Sequence, residues 1–139
     1  MRQWEAEFTD GLRVAHFGTI APDGQPHLVP VCFGRVRERI VVAIDEKPKR
    51  GGKLARIANL ERDARCSMLW DRYDEDWTRL AWVRADGMAT VLAEGNELPE
   101  GLAALRGRYP QYAAMALVQL PLVVFSPSRT VSWRWQGEE

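Results

Sequence analysis

Features that would indicate a metal site or a disulfide are scarce in this chain of 139 residues. It has two histidines, His16 and His27, outside any HExxH pattern, and two cysteines, Cys32 and Cys66, without CxxC spacing. This set does not indicate a metal site. Both cysteines lie in apolar, strand-like runs, so we expect buried, reduced thiols rather than a disulfide.

Long apolar runs and an excess of one charge are also missing. No apolar stretch approaches the roughly 20 residues that cross a bilayer, and the N-terminal run MRQWEAEFTD lacks the apolar core of a signal peptide. Acidic and basic residues balance at 19 each, which argues against nucleic acid or an anionic membrane as a partner. We therefore expect a cytoplasmic protein without membrane or nucleic-acid partners, built as a single domain over residues 1–139.

The glycine patterns of common nucleotide-binding loops are absent as well. There is no GxxxxGK(S/T) loop, and there is no GxGxxG followed by a long βαβ succession. The chain has instead a local concentration of positive charge, which we call the cationic cluster. Its five side chains lie between residues 47 and 56 with no acidic residue among them: Lys47, Lys49, Arg50, Lys53 and Arg56.

The cationic cluster surrounds Gly51 and Gly52, between a strand-like run and the start of a helical pattern. Such a turn presents backbone N–H groups, the positive end of a helix dipole and mobile cations to one small volume, which suits a phosphate group. Lys53 and Arg56 are three residues apart and share one side of the helix. The alternative is that the cluster is an ordinary solvated face.

Short apolar runs between turn residues predict strands over most of the chain. Val14 to Ile20, the turn PDGQP and the run at 27–36 predict a β-hairpin. Pro30 has no N–H to donate, so we expect it at a sheet edge, at a bulge, or where the strand opens toward a ligand. Further single strands are predicted at Arg39 to Ile44 and Cys66 to Trp70.

The second half of the chain predicts two more pairs of strands. Asp86-Gly87 is a strong hairpin signal between strands at Arg79 to Arg84 and Met88 to Leu92. The runs LPLVVF and TVSWRW, separated by SPSR, predict the last two strands, and DRYDEDW predicts a loop.

Two helices are predicted. The first has one apolar face made by Leu54, Ile57, Ala58 and Leu60 and ends around Asn59 and ERDAR; the second runs from Pro99 to Tyr109. About seven short strands with repeated reversals predict a mainly β fold, an antiparallel barrel with minor α content, because closing the sheet removes exposed edges.

The order of several segments resembles one known family. GTIAPDGQPHLVPVCF, EKPKR, RIANLERDARCSMLWDRYDEDWTRLAWVRADGMATVL and YPQY follow one another as in the pyridoxamine-phosphate-oxidase-like split-barrel flavoproteins, from about Val14 to Trp133. Within that group the chain most resembles the actinobacterial branch that uses the deazaflavin coenzyme F420. The resemblance implies a homodimer of split barrels with six to eight strands each, and a cofactor groove where the subunits meet.

The resemblance also implies which residues bind the cofactor. The family's phosphate-binding positions match Lys49 and Arg50, with Lys53 and Arg56 on the following helix, although this chain has Gly51-Gly52 where relatives continue with threonine and further basic residues. On the strand that faces the tricyclic ring lie His27, Val29 and Pro30, and the predicted loop carries Trp77 as a candidate aromatic wall. The alternatives remain open: Pro30 as an edge-strand residue, His27 as a surface residue, and Trp77 packed against the partner subunit.

The implied activity is hydride transfer between F420 and a small conjugated or electron-poor organic substrate. In such enzymes the cofactor carries the reactive carbon, so the absence of a visible acid-base pair does not argue against catalysis. FMN shares the phosphate and the tricyclic ring, so an FMN-dependent oxidoreductase, or a non-catalytic carrier of either cofactor, is the alternative. The anionic tail of F420 could meet Arg35, Arg37 and Arg39, which otherwise form a solvated strand edge.

Overall fold

Antiparallel strands dominate the computed structural model, which describes residues 1–44 and 54–136. The seven strands found in these ranges are β1 (Ala15–Ile20), β2 (Pro26–Val31), β3 (Gly34–Val36), β4 (Arg39–Ala43), β5 (Arg65–Arg72), β6 (Ala81–Leu92) and β7 (Leu122–Arg134). They form one sheet in the order β2-β1-β5-β6-β7-β4-β3, in which all neighbours are antiparallel. The mainly β fold class is confirmed.

The sheet curls on itself to enclose a core. Phe17 on β1 and Ile40 on β4 belong to strands four places apart in the sheet, yet both lie in one buried cluster together with Trp70 and Phe125. A flat sheet would keep those side chains about 15–20 Å apart, given the spacing of roughly 4.8 Å between strands. The curled sheet therefore has the split-barrel form, and its interior excludes water from side chains of six strands.

Four α-helices in the described ranges surround the sheet: α1 (Gln3–Asp10), α2 (Ala55–Arg62), α3 (Pro99–Arg108) and α4 (Pro110–Ala113). The sequence predicted α2 and α3 but neither α1 nor α4. A second buried cluster packs α3 and α4 on β4 and β7 through Leu102, Leu105 and Tyr112. No helix of the described part is long and apolar enough to cross a membrane.

The hairpin predicted at Asp86-Gly87 is wrong, because both residues lie within the continuous strand β6. Asp86 accepts hydrogen bonds from Ser67 Oγ (2.7 Å) on β5 and from Arg84 Nε (3.1 Å), so its side chain is held by the sheet rather than by a turn. The ladder with β7 shifts register between Asp86, which pairs with Arg129, and Gly87, which pairs with Pro127. Ser128 is therefore an extra residue on β7, a β-bulge.

The turn predicted at SPSR is also wrong, because β7 is a single strand through these residues. Pro127 lies opposite Gly87, beside the shift in register, where its missing N–H does not interrupt a regular ladder. The two predicted pairs of short strands are thus two long strands that pair with each other from Ala81 and Arg134 to Leu92 and Leu122.

The strand predicted at 27–36 is divided in the structure. β2 and β3 lie at opposite edges of the sheet, and buried Phe33 between them donates its backbone N–H to Tyr109 Oη (3.1 Å). Pro30 lies on edge strand β2, as predicted, and the hairpin of β1 and β2 is confirmed, with Gly24 in its turn at φ +85°.

The apolar face predicted for α2 is partly wrong. Ile57 and Leu60 are buried, whereas Ala58 is exposed and the neighbouring Asn59 is 3 % exposed. The helix ends at Arg62, within the predicted ERDAR segment. Asn59 is buried because its side chain has a hydrogen-bond partner on β1, which helix propensity and apolar periodicity do not indicate.

Both cysteines are free thiols, as predicted. Burial raises the pKa of the Cys66 thiol to about 12, so this group stays protonated at neutral pH. Cys32 is only half-buried, which corrects the expectation that both would be fully enclosed.

We predict that Gly87→Ala destabilises the protein strongly. A Cβ at Gly87 would collide with the carbonyl oxygen of Ser126 and would lie 2.9 Å from Cα of Pro127, so two backbones would have to separate. The expected loss in free energy of unfolding is at least about 2 kcal/mol, measured by urea denaturation. The control is Gly107→Ala in α3, where an added Cβ would meet no neighbouring group within 4 Å. This change should be neutral or stabilise the protein by roughly 0.5–1 kcal/mol. Equal stabilities of the two variants would contradict the close approach at the bulge.

Candidate functional site

A small cavity lies where the curled sheet brings β2 and β4 together beside the first turn of α2. Its volume is about 190 Å³. The residues that line it are Pro30, Val31, Cys32, Val42, Ala43, Arg56 and Tyr112. Two of the predicted site residues, Pro30 and Arg56, therefore line the same cavity.

Arg56 gives this cavity its chemical character. It lies in the first turn of α2, and its Nε is buried without a hydrogen-bond partner in the described part of the chain. A buried N–H donor without an acceptor costs free energy, so such a group is rarely left unpaired without a reason. The N-cap residue Leu54 supplies no side-chain hydrogen bond, so the positive end of the α2 dipole is not neutralised by a capping side chain.

The placement of Arg56 depends on how α2 is held against β1. Asn59 Nδ2 donates to Thr19 Oγ1 at 3.0 Å, and both residues are 3 % exposed. Arg62 Nη2 donates to the carbonyl oxygen of Ile20, at the end of the same strand. Because these contacts occur two turns or less after Arg56, they fix the direction in which the first turn of α2 points.

Other predicted residues lie near this region without lining the cavity. His27 and Val29 are half-buried on β2, and Nδ1 of His27 is buried without a partner. Side chains alternate along a strand, so Val29 and Pro30 project to opposite faces of β2. A ligand that contacts both would have to contact the backbone of at least one of them.

Trp77 is 63 % exposed and lies in a 3-10 turn, Trp77–Arg79, away from the cavity lining. Thr78 donates both its backbone N–H (3.1 Å) and its hydroxyl (2.6 Å) to Asp76 Oδ1, so the turn is well fixed. The hydrogen bond from the Thr78 side chain is the main reason why the pKa of Asp76 is lowered. The predicted loop is confirmed from Tyr73 onward, and it exposes the Trp77 side chain to solvent.

Lys49, Arg50 and Lys53 lie outside the described residues, as does Lys47. Their part in the site stays a prediction. Arg56 is thus the member of the cationic cluster whose surroundings the structure describes.

The arginines considered for an anionic cofactor tail already have partners. Arg35 contacts Asp10 Oδ1 through Nε (3.0 Å) and Thr9 Oγ1 through Nη2 (2.6 Å). Arg37 Nη2 donates to Glu100 Oε2 at 2.6 Å. Both guanidinium groups therefore stabilise contacts within the fold, and only Arg39, half-buried on β4, is without such a described pair.

Five lining residues were not predicted as site residues: Val31, Cys32, Val42, Ala43 and Tyr112. Tyr112 is buried against Tyr109 in a T-shaped contact with ring centroids 5.5 Å apart, and it also borders the cavity. Cys32 follows Pro30 by two residues, and residues at that spacing in an extended segment face the same side. This spacing was the sequence signal that could have indicated Cys32.

The cavity fits the phosphate end of a cofactor better than the whole of one. Its volume suits a group of a few heavy atoms, and its unpartnered donor belongs to a guanidinium, which binds phosphate oxygens with charge-assisted hydrogen bonds. The aliphatic walls from Val31, Val42 and Ala43 lower the local dielectric and strengthen such a bond.

Residues 2–132 match the family model described as pyridoxamine 5'-phosphate oxidase. The match covers most of the chain, so the protein belongs to this family. None of the curated proteins has a sequence that matches the chain.

Solved structures with the same fold have varied descriptions. A conserved hypothetical protein from Mycobacterium tuberculosis is 27 % identical with a TM-score of 0.79, over 98 % of this chain and 86 % of that one. A heme-binding protein from Mycobacterium smegmatis is 21 % identical (TM-score 0.73; 96 % and 54 % covered). A FAD-binding protein from Mesorhizobium loti is 17 % identical (TM-score 0.69; 95 % and 93 % covered). The last two show the fold alone.

We predict that Thr19→Val destabilises the protein by about 1–3 kcal/mol, because the buried amide of Asn59 loses its acceptor. Asn59→Leu should cost a similar amount, by leaving the Thr19 hydroxyl without its partner. The double variant should be more stable than the sum of the two losses predicts, since neither polar group then lacks a partner. Chemical denaturation of all four proteins measures this coupling, and strictly additive losses would show that the bond does not hold α2.

Proposed function

We propose that this protein is an F420-dependent oxidoreductase, which transfers a hydride between the deazaflavin coenzyme F420 and a small conjugated or electron-poor organic substrate. The observation that carries the proposal is the buried, unpartnered Nε of Arg56 in a cavity at the start of α2. Membership of the family favours a phosphorylated redox cofactor. The resemblance to the F420-using branch favours F420 as that cofactor.

Arg56 is suited to the cofactor's phosphate because its buried Nε–H is not used by the described part of the fold. Among the described residues its Nε has no acceptor, while most other guanidinium groups near the sheet contact carboxylates or carbonyl oxygens. A phosphate oxygen placed in the cavity would accept the Nε–H and remove the cost of the unpaired donor. Lys49, Arg50 and Lys53 precede Arg56 closely in sequence, and we propose that they complete the phosphate site.

Besides binding the phosphate, the protein would orient the cofactor and exclude water from it. When bound, the cofactor would supply the carbon that gives or accepts the hydride. Pro30 and the neighbouring backbone of β2 would limit the position of the ring, and His27 and Trp77 are further candidates for contact with the ring or substrate. We assign no residue of the chain as proton donor.

FMN is the second candidate cofactor, and one observation favours it. F420 has an anionic lactyl-oligoglutamate tail, but two of its three candidate partners, Arg35 and Arg37, are paired with Asp10 and Glu100. FMN needs no such partners and presents the same phosphate.

We propose in addition that the protein is a homodimer with the cofactor groove at the subunit interface. Large apolar side chains are exposed on the sheet and its loops, including Leu28 (71 %), Met88 (57 %), Trp77 (63 %) and Trp133 (43 %). Exposed apolar surface of this kind is typical of an interaction site. Analytical ultracentrifugation at micromolar concentration tests the dimer, and a monomer there would remove the proposed groove.

Binding measurements with three ligands test the phosphate site. F420, FMN and riboflavin, which has the ring of FMN without its phosphate, are titrated into the protein while fluorescence is followed. We expect F420 to bind more tightly than FMN, and FMN more tightly than riboflavin. A preference for FMN over F420 of tenfold or more would transfer the proposal to the FMN-dependent class.

The variant Arg56→Met should weaken F420 and FMN binding by about ten- to a hundredfold, because one charge-assisted hydrogen bond contributes roughly 1.5–3 kcal/mol. It should leave riboflavin affinity unchanged and the melting temperature equal or higher, since a buried unpaired donor is removed. If Arg56→Met bound FMN and riboflavin with the wild-type ratio, Arg56 would not contact the phosphate.

Turnover separates an enzyme from a carrier of the cofactor. Reduced F420 is mixed with the protein and an activated enone or nitro compound, and the absorbance of the oxidised cofactor is followed. Oxidation that depends on both protein and acceptor supports the enzyme. Tight binding without any turnover over a broad panel of acceptors would support a carrier instead.

A further inference from the structure

A second pocket lies between the N-terminal helix and the ends of β5, β6 and β7. We name it the arginine–aromatic pocket after the side chains that determine its chemistry, and its volume is about 360 Å³. These side chains are Trp4, Phe8, Arg72, Arg134 and Trp135, with Glu7 at the same pocket. It shares no lining residue with the Arg56 cavity, and none of its residues was predicted as a site residue.

The two arginines of this pocket lie over aromatic rings. The Cζ atom of Arg134 is 4.5 Å from the centroid of Trp4, and that of Arg72 is 5.3 Å from the centroid of Phe8. A guanidinium over a ring is attracted to it by a cation–π interaction, which uses none of its N–H groups as a hydrogen-bond donor to a carboxylate.

Neither arginine pairs with a carboxylate among the described residues, in contrast to Arg35, Arg37 and Arg79. Arg72 donates Nε to the carbonyl oxygen of Arg79 (2.8 Å), and its terminal nitrogens have no acceptor in the described ranges. The guanidinium of Arg134 has no described hydrogen bond at all. The pocket thus presents two guanidinium groups that form no direct ion pair with a carboxylate of the described residues.

Among the described residues, Glu7 is the one carboxylate that lines the pocket, and its Oε1 accepts a hydrogen bond from Gln3 Nε2 (3.0 Å). The described lining therefore has a net charge of one positive unit. A monoanion would neutralise it, whereas a dianion would leave an unpaired negative charge near Glu7. The charge balance favours a ligand with a single carboxylate.

The aromatic walls indicate the rest of the ligand. Trp135 is 38 % exposed, and its backbone N–H donates to the carbonyl oxygen of Leu80 (3.3 Å), which fixes the start of its side chain. Helix α1 carries Trp4 and Phe8, and its buried residue Glu5 holds it to the barrel through a hydrogen bond from the Ser132 side chain. Burial raises the pKa of Glu5, but this hydrogen bond opposes that effect and the pKa is lowered overall. Fixed aromatic surface beside free guanidinium edges suits a flat ring that carries a carboxylate.

We propose that the arginine–aromatic pocket is a binding site for a planar aromatic monocarboxylate, with Arg134 and Arg72 on the carboxylate and Trp135 against the ring. This site is independent of the proposed cofactor function. Its occupant would contact α1 and β7 at once, so binding would also stabilise the attachment of α1 to the barrel.

The probe for the test is 2-naphthoate, with naphthalene-2-methanol as the uncharged analogue of the same shape. Two-dimensional ¹H–¹⁵N spectra follow the indole Nε1–H and arginine Nε–H signals while each compound is added. We expect saturable shifts of the Trp4, Trp135 and Arg134 signals with 2-naphthoate, and at least about tenfold weaker binding of the alcohol. Equal affinities for the two compounds would overturn the proposal.

Two variants and a control locate the effect. Arg134→Met keeps a flexible apolar side chain that can pack on Trp4, and it should weaken 2-naphthoate binding about tenfold; Arg72→Met should have an effect in the same direction. The control Arg129→Met makes the same substitution at an exposed position of the same strand and should stay within about twofold of wild type. The melting curve of each variant is recorded, and Arg72→Met decides the matter if Arg134→Met does not fold. Absence of saturable shifts in the wild type, or wild-type affinity in a folded Arg134→Met or Arg72→Met variant, would contradict the proposed site.

Discussion

The buried hydrogen bond between Asn59 and Thr19 is the constraint on which the candidate site depends. It joins α2 to β1, and with the contact from Arg62 to Ile20 it determines where the helix begins and therefore where Arg56 lies. A helix held only by Ile57 and Leu60 could slide or rotate against an apolar surface at modest cost, because apolar contacts have little directional preference. The polar pair converts that approximate packing into a defined orientation.

The curvature of the sheet supplies the other half of the site. β2 and β4 are five places apart in the sheet, yet Val31 and Val42 line one cavity. The long ladder of β6 and β7 spans the middle of the sheet. Its bulge at Ser128 lies beside Gly87, where the two backbones approach closely and Pro127 offers no N–H. Bulges increase twist and bend the strands that contain them. We infer that this bulge contributes to the curl that brings β2 and β4 together.

Local patterns predicted those elements whose side chains follow the alternation or spacing of their own segment. The hairpin of β1 and β2, strands β4 and β5, and helix α3 are in this class, and so is Pro30 at a sheet edge. Asp86-Gly87 and SPSR were misread because their turn propensity is overridden by partners that are distant in sequence, Ser67 for Asp86 and the facing strand for Pro127. The same holds for Asn59, whose burial depends on Thr19, forty residues away. For the candidate site, charge pattern and family resemblance singled out Arg56 and Pro30, which line the cavity. Cys32 and Tyr112 line it because of the curl of the sheet and α4, which no local signal indicated.

The most direct test of the central claim is a crystal structure of the protein with F420 bound. The account predicts a phosphate oxygen in the cavity beside the first turn of α2, at about 3 Å from Nε of Arg56, with the Asn59 to Thr19 bond intact. A structure in which the phosphate binds elsewhere and the Arg56 Nε still has no acceptor would contradict it.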